Sequence, residues 1–271
     1  MAEEEEAAED QGHNGAPEAR RLLLVCRRSQ QRLAGIVEPL DEAGLERTSY
    51  ADDWSVAEVL SHLGSQSEIF SLFVEAALGE GEPPTQDAFG SIWDRWNAKS
   101  PTAQRADSLA TDDRLLRRIE GLDDDQLAAA HVEMFGSDVG IAGLLHRRLP
   151  EHALHTWDVA VIFDEEAEVA ADAVEVIVDE LDYLVSRVGR PAAHPTTVAV
   201  NTERPERHFV LDTAGVELRS GSAGAAASVD LSAEAFVRLV YGRLTDTGLP
   251  RDKVHTRGAS LEDLRAVFTG V

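Results

Sequence analysis

The sequence predicts an α+β protein of two domains: an up-and-down four-helix bundle followed by a small α/β domain. Three observations predict it. Apolar residues recur at helical spacing through long stretches between residues 17 and 190. Beyond residue 195 they alternate or run in short spans, as strands do, with two further helical stretches at the end. Between the two patterns, Gly189-Arg-Pro-Ala-Ala-His-Pro195 has the composition of a linker. Strands that follow an all-helical half mark a separate domain.

Residues 1–16, with Glu3 to Glu6 in a row, read as a disordered acidic tail. A first helix begins near Pro17, because proline suits a first turn, and runs to about Val37. Asp52-Asp-Trp-Ser55 offers caps for a second, and Ser55 with Glu58 matches the capping box. Its stripe of Val56, Val59, Leu60, Leu63, Ile69, Phe70 and Phe73 continues to Leu78. Residues 86–135 read as less regular helix, broken at Ser100-Pro101 and turning at Asp123 to Asp125. Further helices span roughly Ile141 to Phe163 and Glu166 to Val188, the latter buried through Val174, Ile177, Val178, Leu181 and Leu184. This gives a bundle over 17–190 and a second domain over 195–271. In the second domain, strands are expected at 197–201, 207–211, 216–219 and 225–231, then helix 233–241, a short strand at 254–257 and helix 261–268.

The composition narrows the partners. The 271 residues are 43% hydrophobic and carry a net charge of −25, which repels nucleic-acid backbones and anionic membrane surfaces. No stretch approaches the roughly 18 apolar residues of a membrane span. The acidic N-terminus is the opposite of a secretory signal, so a cytoplasmic location is expected. The lone Cys26 cannot form an intramolecular disulfide, and its helical context suits a small core residue better than a nucleophile.

The chemistry concentrates in Leu149-Pro-Glu-His-Ala-Leu-His-Thr-Trp-Asp158. Glu151, His155 and Asp158 stand at offsets of four and three, which stacks them on one face of a helix. A carboxylate and an imidazole one turn apart suit a divalent metal, with Asp158 either orienting the ring or standing as a simple surface or salt-bridge residue. The candidate third ligand is His62, inside the otherwise apolar face of the second helix; a hydrogen-bonded core histidine is the competing reading. His152 lies about 100° around the helix from Glu151, His146 precedes it by five residues, and His131 sits in a poorly defined helix, so all three are set aside.

Trp54-Ser-Val-Ala-Glu-Val-Leu-Ser-His62-Leu, with Arg148-Leu-Pro-Glu151-His-Ala-Leu-His155-Thr-Trp-Asp158 some ninety residues later, resembles the mycothiol-dependent maleylpyruvate isomerase family. That family belongs to the DinB-like metal-binding helical bundles. The resemblance implies metal ligands at His62, Glu151 and His155, a divalent metal (zinc above all), and the thiol mycothiol as cofactor. Phe236-Val-Arg-Leu-Val-Tyr-Gly242-Arg243 is similar to the family's small, sterol-carrier-like C-terminal domain. It makes Arg243 a candidate catalytic guanidinium for a substrate carboxylate; a plain surface arginine is the alternative. The expected function is a metal-dependent, mycothiol-using isomerase or thiol S-transferase acting on a small electrophile, as a monomer or homodimer. A non-enzymatic metal- or ligand-binding protein and a metal-dependent hydrolase are the alternatives.

Overall fold

The computed structural model describes residues 15–51, 54–222, 224–245 and 254–270. They form two units that meet in sequence between Asp164 and Glu165. The acidic tail and the caps Asp52 and Asp53 lie outside the described residues.

The first unit runs α1 (Ala16–Val37), α2 (Glu42–Leu45), α3 (Val56–Ala77), α4 (Gln86–Asn97), α5 (Pro101–Glu120), α6 (Asp124–Ala129), β1 (His131–Met134), β2 (Ser137–Gly140) and α7 (Ile141–Ala160). Pro17 stands in the first turn of α1, where its missing N–H has no helical partner to lose. Ser55 and Glu58 close the capping box of α3: Glu58 N donates to Ser55 Oγ, and Ser55 N donates to Glu58 Oε2. Thr85 and Ser100 cap α4 and α5 by a single bond each, their hydroxyls accepting from Ala88 N and Ala103 N.

Helix α1 packs on α5 and α7, and α3 packs on the same two, so α3 and α7 are neighbours. Leu33, Val37, Leu45, Val56, Val59, Leu60, Leu63 and Val159 form a continuous core at one end of the bundle. Each such side chain contributes roughly 1.5–3 kcal/mol relative to leaving it in water.

Residues 131–140 correct the expectation of helix up to 135. They pair as an antiparallel hairpin, His131 opposite Gly140 and Met134 opposite Ser137. Phe135 and Gly136 turn it with φ of 53° and 85°, both in the left-handed region of a type I′ turn. Strands of four residues carry too little alternation to stand out beside long helical stripes.

The second unit runs α8 (Ala171–Ile177), a 3-10 turn (Val178–Glu180), α9 (Leu181–Val188), β3 (Thr197–Glu203), β4 (Arg207–Asp212), β5 (Glu217–Ser220), β6 (Ala227–Ser232), α10 (Ala233–Val240), β7 (His255–Arg257) and α11 (Leu261–Val267). The sheet order is β5-β4-β3-β6-β7, antiparallel except for the parallel β3–β6 pair. Val198, Val200, Phe209, Leu211, Val229 and Leu231 point to one buried face. Here the boundary differs from the expected one near residue 190. The stripe of Val174, Ile177, Val178 and Leu181 packs on α10, so α8 and α9 belong with the sheet, not the bundle.

Candidate metal centre

Three donor atoms converge between α3 and α7. His62 Nε2 lies 3.3 Å from Glu151 Oε2, and His155 Nε2 lies 3.9 Å from the same oxygen. The three ligand atoms all fall within 4.8 Å of one another. Zinc–nitrogen and zinc–oxygen bonds of 2.0–2.2 Å put tetrahedral ligand atoms roughly 3.3 Å apart, so this set fits a divalent cation. Two imidazoles and a carboxylate are also the donors such a cation selects.

Two helices supply the three candidate ligands. His62 stands four residues after Glu58 on α3, half-buried between the buried Leu60 and Leu63. Glu151 and His155 are one turn apart on α7, immediately after Pro150, which the helix carries in its interior. Asp158 completes the face. Its Oδ2 lies 2.8 Å from His155 Nδ1, and its side chain is 0% exposed. A buried carboxylate there fixes the N–H on Nδ1 and leaves Nε2 with its lone pair toward the cluster.

Glu151 is held from a second side. Gln66, one turn after His62, donates its Nε2 to Glu151 Oε2 at 2.9 Å. Arg148 Nη1 in turn donates to Gln66 Oε1 at 2.7 Å. The other Arg148 amine donates to Ser67 Oγ at 2.8 Å, to Asp112 Oδ1 at 3.1 Å and to the Leu63 carbonyl at 3.2 Å. Asp112 Oδ2 faces His152 Nε2 at 3.1 Å, and His152 Nδ1 meets Ser29 Oγ at 2.8 Å. A chain of polar groups thus runs from Glu151 through the bundle interior to α1.

The electrostatics follow from this packing. Burial pushes the Glu151 carboxyl up, but the hydrogen bond from His62, the charge of His155 and the Gln66 amide outweigh it and hold the carboxyl at about 2. Burial lowers His62, against the opposing pull of Glu151. Both effects favour the carboxylate and the neutral imidazole, the forms that bind a metal. Asp112 is likewise kept ionised: the opposing cost of burial is exceeded by His152 and Arg148. Burial lowers His152, with Asp112 pulling the other way. The Cys26 thiol is pushed up to about 12, by burial first and by Asp112 second, so it remains a core thiol.

A cleft adjoins the cluster at His62. Trp54, Glu58, His62, Ser65, Trp93 and Asn97 line this cleft of about 350 Å³. The Trp54 ring lies 5.1 Å from the His62 ring and 6.0 Å from that of His155, centroid to centroid.

The structure brings together His62, Glu151 and His155, with Asp158 behind. The set-aside histidines go elsewhere: His152 to Asp112 and Ser29, His146 beside Glu18 at 3.2 Å, and His131 beside Asp138 at 3.2 Å in the hairpin. Arg243 belongs to the second unit, just after α10, half-buried, with Nη1 donating to the Tyr241 carbonyl at 3.1 Å. Sequence reasoning missed Gln66, Arg148 and Asp112. Their signal was present: each is a polar or charged residue at helical spacing inside an apolar stripe.

Residues 26–160 match the model of the mycothiol maleylpyruvate isomerase N-terminal domain. No curated protein matches the sequence. The fold is similar to the crystal structure of the mycothiol-dependent maleylpyruvate isomerase, with a TM-score of 0.65 and 15% identity over 88% of this chain and 92% of that one. A histidine-to-alanine mutant of that isomerase matches equally well. Through the unit that carries His62, Glu151 and His155, the chain belongs to the mycothiol maleylpyruvate isomerase family.

Proposed function

We propose that the protein is a metal-dependent, mycothiol-using isomerase or thiol S-transferase acting on a small electrophile. The observation that carries this reading is the donor set: among the described residues, His62, Glu151 and His155 form the metal-competent group, and His62 lines a cleft. A structural zinc site is closed by four protein ligands, whereas a catalytic one keeps a position for substrate or water. That contrast favours an enzyme over a binding protein. The family match favours thiol chemistry over hydrolysis.

His62, Glu151 and His155 would hold the metal, which would supply a Lewis acid able to lower the pKa of a thiol or water toward neutrality. The chain's own residues prepare that position. Asp158 keeps the His155 proton on Nδ1. Gln66, anchored by Arg148, holds the Glu151 oxygen that faces both imidazoles. Trp54 covers the two rings and limits water at one side. Isomerisation and S-transfer both need a thiolate formed beside an electrophile, so one centre serves either. The resemblance keeps Arg243, in the second unit, as a candidate guanidinium for a carboxylate; its Nη1 donates to the Tyr241 carbonyl at 3.1 Å.

The test is zinc content and mycothiol-dependent turnover in wild type and in His155→Ala. The wild type is expected to bind about one equivalent of zinc and to change on mycothiol titration, and the variant to lose both. Full metal occupancy in His155→Ala would refute the ligand assignment. A metal-loaded wild type indifferent to mycothiol would refute the thiol chemistry.

A further inference from the structure

Trp93 lines the cleft beside the metal centre and packs against an aromatic neighbour on its own helix. That residue and Phe89, one turn earlier on α4, have ring centroids 6.1 Å apart. Phe89 forms the wall of a second pocket of about 360 Å³, whose other apolar walls are Phe73, Pro83, Pro84 and Phe135. The Phe135 ring lies 6.2 Å from both Phe73 and Phe89. The Trp93–Phe89 ring contact thus lies between the cleft lined by Trp54 and Trp93 and the pocket lined by Phe89 and Phe135.

Two features mark these rings as a binding surface rather than leftover core. Trp93 is 46% exposed and Phe135 70% exposed, so neither ring is needed inside the bundle. Phe135 also holds the left-handed turn position at φ 53°, where a bulky residue is rare and asparagine or glycine is the ordinary choice. Charge defines the ligand further. Among the described residues, neither lining includes a lysine or arginine, and each includes a glutamate, Glu58 in one and Glu133 in the other. Such a lining rejects an anionic extension and accepts an apolar or aromatic one.

We propose that the rings of Trp54, Trp93, Phe89 and Phe135 form a subsite for an uncharged, apolar or aromatic arm on the electrophile whose reactive end meets the metal centre. The proposal rests on the thiol-addition reading above and narrows its substrate class. It excludes electrophiles that are dianionic throughout as the preferred substrates, and it assigns Phe89 and Phe135 to specificity rather than to chemistry.

The experiment uses the full, zinc-loaded chain and two unreactive probes, N-benzylsuccinamate and N-methylsuccinamate, followed by tryptophan emission. The benzyl probe is expected to bind at least tenfold more tightly. Phe135→Asn, which suits the turn, and Phe89→Ala should each bring the ratio within threefold. Equal affinities in the wild type, or a preference that survives both substitutions, would overturn the proposal. So would a wild-type dimer in sedimentation that Phe135→Asn splits, because the occupant would then be a second copy of the chain. Mycothiol-dependent isomerisation of N-benzylmaleamate is measured separately. Its absence counts against the proposed reaction and leaves the binding ratio to decide the subsite.

Discussion

Arg148→Met removes the cation at the centre of the buried network while keeping most of its volume. Four hydrogen bonds go with it, to Gln66, Leu63, Ser67 and Asp112. Asp112 is left ionised in the interior with only His152 and Ser67 beside it. Breaking a buried pair in this way costs about 3–5 kcal/mol. For a unit of about 150 residues that is a fall in Tm on the order of 6–20 °C. The four tryptophans (54, 93, 96 and 157) all lie in the first unit, so their emission reports its unfolding alone. The pH dependence is the sharper part. In the wild type, burial lowers His152 below 6.5, so stability is lost as pH falls through the unfolded value. Without Arg148, Asp112 pulls the His152 pKa upward, and a raised folded pKa adds stability at low pH that is lost as pH rises. The gap between variant and wild type, measured on metal-free protein, is therefore largest at pH 8 and narrows toward pH 6. A gap under 2 °C at pH 8, or one that widens toward pH 6, would refute this account.

Two further substitutions probe the site and its support. Asp158→Asn leaves the three ligands in place but no longer fixes the His155 ring by charge, so zinc affinity in a chelator competition should weaken by roughly 10–100-fold. Unchanged affinity would show that Asp158 does not orient the ring. Gly64→Ala would place its Cβ 2.3 Å from the Trp96 ring, which is buried and donates to Glu68 at 2.8 Å. It should destabilise the first unit by about 1–3 kcal/mol in denaturant melts followed by tryptophan emission, and a neutral effect would show that α4 shifts freely on α3.

The parts of the molecule that could be read from sequence were those written in local periodicity. Helix α3 announced itself through Ser55, Glu58 and its apolar stripe, and His62 stood out as a polar residue in that stripe. The Glu151–His155–Asp158 face followed from helical spacing even though Pro150 precedes it, because packing carries α7 through a residue that lacks the N–H for the His146 carbonyl. Long-range choices could not be read this way. The apolar face of α8 and α9 fits a bundle or a sheet equally well, and only its packing on α10 assigns it. The β1–β2 hairpin depends on Phe135 adopting a conformation its residue type disfavours. Gln66, Arg148 and Asp112 interrupt apolar stripes, as His62 does, but which groups they meet appears only when three helices converge.

That convergence explains why so much charge is kept inside a small bundle. The polar chain draws on every long helix: Ser29 on α1, Gln66 and Ser67 on α3, Asp112 on α5, Arg148 and His152 on α7. An apolar layer of similar volume would match or exceed its stability, since buried ion pairs seldom return their desolvation cost. What leucines could not do is fix register. Sliding α7 by one residue against α3 would turn Arg148 away from Gln66 and Asp112, orphaning several buried groups at once. The same slide would move Glu151 and His155 by about 100° relative to His62. The network and the metal ligands are interleaved on α7, at positions 148, 151, 152 and 155, so the penalty that locks one locks the other. The charged interior is thus the device that holds three candidate donors from two helices within 4.8 Å of one another.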